Sequence, residues 1–155
     1  MKPIRVIPVR ADRVRISGIS PDLVFCLRRI PDILERRDEP AARARLFPDP
    51  IPGHAEDNEL WHETVEPELR HLFESAEKTM LDDLANLHGD SIVVPAAHLD
   101  AWRSAINQTR LILGALHNVD EGEMQREDLH PGNARDLALI QIHLLGYLLH
   151  QLTEV

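Results

Sequence analysis

One cysteine, Cys26, is the whole thiol complement of this sequence. It leaves no disulfide framework and no cysteine-based zinc cluster, and it suits a reducing compartment. Aromatic residues are also scarce: 2 Trp, 1 Tyr and 3 Phe are scattered singly, so no stacking platform for single-stranded nucleic acid is expected. The longest stretch without Asp, Glu, Lys or Arg runs 17 residues from Leu137 to Thr153 and includes Gln141, His143, His150 and Gln151. That is short of a membrane span. The apolar run around Val6 to Val9 is too brief for a secretory signal. Positive charge is in deficit, 17 Lys and Arg against 26 Asp and Glu for a net of −9. Such a balance argues against a protein that coats nucleic acid or an acidic membrane. A glycine-rich phosphate loop and a local serine-triad signature are missing too.

What is present specifies an architecture. The 155 residues are 43% hydrophobic and 28% charged, enough to bury a core within one domain, 1–155. The expected fold is mainly α, a four- to five-helix bundle over 20–155 with a small N-terminal β-hairpin over 1–19. The protein is expected to be cytoplasmic. Charge is uneven: residues 1–47 hold 11 Lys and Arg against 6 Asp and Glu, while 48–155 hold 6 against 20. Attraction between the two parts within one fold is the expected reason, because charge asymmetry alone is a weak signal for a partner.

Val and Ile interleaved with Arg over Arg5 to Ile16 predict the hairpin, turning at Ala11-Asp12, with Pro8 confining its strand to an edge or a bulge. Ser20-Pro21-Asp22 predicts a helix start, and Pro31 must kink or split the helix that follows. Phe47 to Gly53 is a proline-stiffened loop. A helical region from about Asp57 to His88 is interrupted at Glu66-Pro67. Its apolar stripe runs through Trp61, Val65, Leu69, Leu72, Phe73, Ala76, Met80, Leu84 and Leu87, and Gly89 is expected to stop it. Ser91 to Val94 is a candidate strand beside the hairpin. A helix follows from Ala96 to Leu116, then an acidic connector from Asn118 to Arg135 with a helical turn near Glu123 to Leu129. That connector is long enough to be either functional or mobile. The last helix, Ala134 to Leu152, is apolar around most of its circumference and is expected at the centre of the bundle.

Nine histidines raise the question of metal chemistry. Glu59/His62, Glu68/His71 and Glu127/His130 each have Glu-x-x-His spacing, which ferritin-like bundles use to hold two metal ions. Helical-wheel positions turn the first two pairs away from the apolar stripe, and the third lies in the connector, so all three read as solvated. His143 and His150 share one helix face about 10.5 Å apart, too far for one ion, and are expected to be core histidines with single hydrogen-bond partners. Cys26 reads as packing.

The most unusual polar pattern is Arg103, Asn107, Arg110 and Gly114, one stripe beside the apolar stripe of the same helix. A glycine inside a helix is destabilising by up to about 1 kcal/mol, which predicts a close neighbour at Gly114. Arg110 and Asn107 at the edge of a core need partners, and Glu66 or Glu68 at the Pro67 junction are the expected ones. The stripe is thus a polar clasp between two helices or an anion or partner-docking site.

Arg45-Leu46-Phe47-Pro48-Asp49, Glu66-Pro67-Glu68 and the run from Asp100-Ala101-Trp102 through Asn107, Arg110, Leu111 and Gly114 together resemble the bacterial domain-of-unknown-function family DUF2017. Arg13-Val14-Arg15, Ile19-Ser20-Pro21 and Tyr147-Leu148 fit its pattern as well, in the same order along nearly the whole chain. The resemblance implies a cytoplasmic, largely helical domain in a mainly actinobacterial setting, often encoded near the Clp protease adaptor. It carries over no activity and no catalytic residue. Many relatives have a longer acidic insertion where this chain has Ile51 to Asn58, and His62, His71 and His143 are not part of the pattern.

The leading expectation is therefore a non-enzymatic regulatory or protein-interaction module, with no cofactor and no resident metal. Its binding residues would be Arg103, Asn107 and Arg110 with Glu66 and Glu68, and Arg28 and Arg29 with Arg36 and Arg37 as the docking patch for an acidic partner. A metal-dependent enzyme using the Glu and His pairs is the alternative, and a DNA-binding regulator a weaker one. No membrane contact is expected, nucleic acid is not the expected partner, and a homodimer is a candidate assembly.

Overall fold

The computed structural model describes residues 3–155. Strands β1 (Arg5–Arg10) and β2 (Arg13–Ser17) form the antiparallel hairpin. Pro8 pairs with Val14, and the register then shifts so that Arg10 meets Arg13. Pro8 therefore sits both on an edge strand and beside a bulge, where a missing N–H costs no ladder bond. Strand β3 (Ile92–Pro95) joins the other side of β2, giving a three-stranded antiparallel sheet in the order β1-β2-β3. Val14, Ile16, Ile92 and Val94 are buried, while Arg15, one residue out of phase, is exposed, as period-two alternation requires. Gly18 follows β2 at φ 75°, and a Cβ there would lie 2.1 Å from the Pro3 carbonyl oxygen. Only glycine suits both its backbone and this approach.

Ser20 caps helix α1 (Pro21–Arg28) by accepting a hydrogen bond from the Leu23 amide at 3.2 Å. Pro31 splits the helical run, and α2 spans Ile30–Leu34. A 3-10 turn, Glu35–Asp38, leads into α3 (Pro40–Leu46). Helix α4 (Ala55–Thr64) and helix α5 (Glu66–Leu84) meet at the Pro67 junction. A 3-10 turn at Ala96–His98 opens α6 (Leu99–Leu116), α7 (Glu121–Met124) sits in the connector, and α8 (Ala134–Thr153) closes the fold. Asn133 caps α8, accepting from the amides of Arg135 and Asp136.

The fold is mainly α, but it is divided more finely than four or five helices. Prolines 21, 31, 40 and 67 each stand within the first two positions of a helix, so the proline-rich first half breaks into short segments. The centre is also not α8. Helix α6 packs against α2, α3, α5 and α8 and buries Leu99, Trp102, Ala105, Ile106, Thr109, Ile112 and Leu113. Helix α8 buries Leu139, Ile142, Leu145, Leu148 and Leu152 on one side. On the other it exposes His143, Tyr147 and His150. These two histidines are thus surface residues rather than core ones.

Two glycine expectations also change. Helix α5 ends at Leu84, short of Gly89, whose positive φ serves the tight His88–Ser91 turn instead. A Cβ on Gly114 would meet nothing within 4 Å, so the close approach is elsewhere, at Gly146 of α8, where the Arg110 guanidinium lies.

Candidate functional site

Two clefts flank the segment Arg45 to Asp49. Arg43 and Arg45, two residues apart on α3, point about 200° apart around its axis, and each lines a different cleft.

The larger cleft, of 490 Å³, is lined by Asp38, Arg43, Phe47, Pro48, Asp49 and His62. Beside it the carboxylate of Glu66, 7% exposed, is the hub. It accepts from Arg43 Nη2 at 2.6 Å, His62 Nδ1 at 2.7 Å and Arg70 Nη2 at 3.4 Å. His62 Nε2 lies 2.7 Å from Asp49 Oδ1, and Arg70 pairs with Asp38 at 2.8 Å while its guanidinium lies 4.7 Å from the centroid of the Phe47 ring. Asn58 anchors the proline loop by exchanging two hydrogen bonds with the Ile51 backbone.

The electrostatics follow from this geometry. A neutral imidazole has only one N–H, yet both His62 nitrogens face carboxylate oxygens, so the doubly protonated ring suits the site. Hydrogen bonds to Asp49 and then Glu66 raise its pKa above the ordinary histidine value. Burial pushes the Glu66 carboxyl up, but hydrogen bonds from His62 and Arg43 outweigh it and hold the group below the usual range. Every charge here is answered by another, which makes the cluster a clasp joining α3, α4 and α5. His62 is engaged with Glu66 and Asp49, not solvated beside Glu59, while Glu68, His71, Glu127 and His130 are exposed. Among the described residues, no three His, Cys, Asp or Glu side chains are placed to hold a metal ion.

The expected pairing of Arg110 with Glu66 or Glu68 does not form. Arg110 Nε instead donates to the Ile142 carbonyl at 3.1 Å. Arg103 donates from Nε and Nη2 to the Leu152 carbonyl at 3.1 and 2.6 Å. The stripe is therefore a clasp between α6 and α8, whose acceptors are backbone carbonyls that a sequence pattern does not display. Between these two arginines Asn107 is exposed.

The second cleft, of 190 Å³, is lined by Arg45, Asn107, Arg110, Leu111, Gly114 and Ile142, with Val119 and Met124 completing the wall. Among the described residues, no carboxylate lines it. Burial without a neighbouring carboxylate pushes the Arg110 guanidinium below its usual range. Arg45 was part of the family pattern but not of the expected binding set. Its signal was its offset from Arg43 on a short helix.

Of the expected docking patch, Arg28 at the end of α1 and Arg29, its C-cap, are exposed. Arg36 is bound by Glu39, and the largely buried Arg37 pairs with Glu77 at 3.1 Å. These two are committed within the chain. The long connector is tied down rather than loose: Arg135 bonds Glu123 and the His117 carbonyl, and Arg126 pairs with buried Asp136 at 3.0 Å.

A mainly helical domain with a small sheet, carrying one self-compensated and one uncompensated polar cleft, is the class these features define. The chain belongs to the family described as domain of unknown function (DUF2017), whose model matches residues 15–155. Comparisons with curated proteins and with solved structures gave no match. Three segments that carry the family resemblance converge in space: Arg45 to Asp49 separates the clefts, Glu66 is the hub of one, and Asn107, Arg110 and Gly114 line the other. Among the described residues, no helix is long and apolar enough to cross a membrane.

Proposed function

We propose that the protein is a non-enzymatic, cytoplasmic interaction module that recognises an acidic protein partner through the exposed arginines of its N-terminal third. The observation that carries this reading is on α1. Arg29 lies 5.6 Å from the centroid of the Phe25 ring, Phe25 is 48% exposed, and neither Arg28 nor Arg29 has a carboxylate partner among the described residues. Arginine beside an exposed aromatic ring is the composition that protein interfaces favour. Arg5 and Arg15 on the outer sheet face likewise have no carboxylate partner among the described residues. In a chain with an excess of acids, arginines left unpaired are available to another molecule.

The test is affinity purification from native cells with the wild-type chain and with an Arg28→Glu, Arg29→Glu variant of unchanged circular dichroism. A stoichiometric acidic partner, retained by the wild type, released by salt and lost from the variant, is expected. The same partner on both proteins, or none on either, would overturn the reading. Sedimentation of the purified chain tests the homodimer.

A further inference from the structure

The second cleft combines features that the clasp between α6 and α8 does not require. Arg110 is fixed through Nε, which donates to the Ile142 carbonyl at 3.1 Å. Its guanidinium is also laid on the backbone of Gly146, where the nearest atom is 2.9 Å from the position of a Cβ. Its two terminal nitrogens have no acceptor among the described residues. A guanidinium held through Nε presents the remaining fork in a set direction, the geometry that matches a carboxylate in two parallel hydrogen bonds. Arg45, also without a carboxylate partner among the described residues, faces the same space, and exposed Asn107 adds an amide.

The rest of the lining is apolar, from Leu111, Ile142, Val119 and Met124. The half-buried Arg110 guanidinium has no carboxylate beside it among the described residues, so an anion is the group that would complete the cleft. We infer that this cleft binds a carboxylate carrying a short apolar chain, the carboxylate on Arg110, Arg45 and Asn107 and the chain along the apolar wall. The volume of 190 Å³ admits a few carbon atoms, smaller than the usual drug-sized pocket. Gly114 supports the same reading: a Cβ there would meet nothing within 4 Å, so its missing side chain leaves the floor open.

The chemistry is available from a free organic acid or from the C-terminal residue of a peptide. The test is titration of the full chain, followed by amide chemical shifts at constant ionic strength. Probes are acetate, hexanoate, inorganic phosphate, and a pentapeptide ending in leucine with a free or an amidated terminus. Saturable shifts at Leu111, Gly114 and Val119 are expected, with hexanoate or the free-acid peptide at least tenfold tighter than acetate. Preference between those two identifies the source.

Arg45→Gln should weaken binding at least tenfold, and Gly114→Leu, which fills the floor, should abolish it. Arg28→Glu should leave it unchanged. Non-saturating shifts, tighter binding of phosphate than of hexanoate and of the free-acid peptide, or equal affinity in the Arg45→Gln variant would each overturn the inference. Because Arg45 is exposed and unpaired, its substitution does not threaten folding, and the result is independent of the α1 docking surface.

Discussion

The guanidinium of Arg110 rests on the backbone of Gly146, its Nη2 2.9 Å from where a Cβ on that residue would stand. The contact explains a glycine inside α8, since any side chain there would displace the arginine from the Ile142 carbonyl.

Arg110→Ala should destabilise the protein by about 1 to 2 kcal/mol, through the lost hydrogen bond and the lost packing of a half-buried stem. Arg28→Ala, exposed and unpaired, should stay within about 0.5 kcal/mol of wild type. Urea denaturation of the two variants checks this, and equal midpoints would remove the structural role of Arg110.

Gly146→Ala tests the same contact from the other helix. The gain of about 1 kcal/mol in helix propensity opposes the loss of a bond worth about 0.5 to 1.5 kcal/mol. A change below about 1 kcal/mol is expected from these opposing terms, because the displaced atom is the far end of a flexible side chain. A loss several times larger would mean that α8 itself cannot accommodate the methyl group.

Asp83 is buried between α5 and α6, accepting from Trp102 Nε1 at 2.9 Å and facing His98 Nδ1 at 2.9 Å. Asp83→Ala would leave the indole N–H of a fully buried tryptophan without an acceptor. The expected loss is about 1 to 3 kcal/mol, seen in the same denaturation experiment.

The Asp49–His62–Glu66 chain makes stability depend on pH with a definite sign. His62 has a raised pKa in the folded state, so its contribution is complete below the ordinary value near 6.5. It is lost as the pH climbs through the raised one. Glu66 acts oppositely: its pKa is lowered, and its contribution disappears as the pH falls through that lowered value. The wild-type melting temperature should therefore decline from pH 6 to pH 9 more steeply than that of His62→Gln. Parallel profiles would exclude the charged imidazole.

Cys26 is buried, and burial, with a smaller push from Asp22, raises its thiol pKa to about 11. Reaction with a thiol reagent at pH 7.5 should be slower than in the guanidinium-unfolded chain by roughly a hundredfold or more. Comparable rates would mean that α1 opens readily.

Local signals proved the most legible. The Ser20 cap, the split at Pro31, the Glu66-Pro67 junction and the bounds of α8 all follow from side-chain chemistry within a few residues. Relations between distant segments were harder to see. Helix α8 reads as central because it is the most apolar, yet centrality depends on how many neighbours a helix has. Helix α6 has more of them. Glu66 reads as a partner of Arg110, whereas its real partners include His62 and Arg70, each four residues away and so legible in the sequence; only Arg43, from another helix, is not. Arg110 and Asn107 read as needing partners; Arg110 finds a main-chain carbonyl, and Asn107 is exposed. Leu72, at one edge of the expected apolar stripe, is 65% exposed, whereas Ala76, Met80 and Leu84 of the same helix are buried, so the covered face of α5 is narrower than its apolar pattern.

The sheet of this protein is poorly suited to growing by another strand. On β1, Pro8 removes one amide and the neighbouring shift in register bends the flank, while Arg5 and Arg10 would repel a like copy. On the opposite side β3 offers only four residues, the last of them Pro95. Ladder-type polymerisation is thereby discouraged at both borders, even when the protein is concentrated. Assembly is steered toward side-chain contacts, whose specificity can be changed one surface residue at a time.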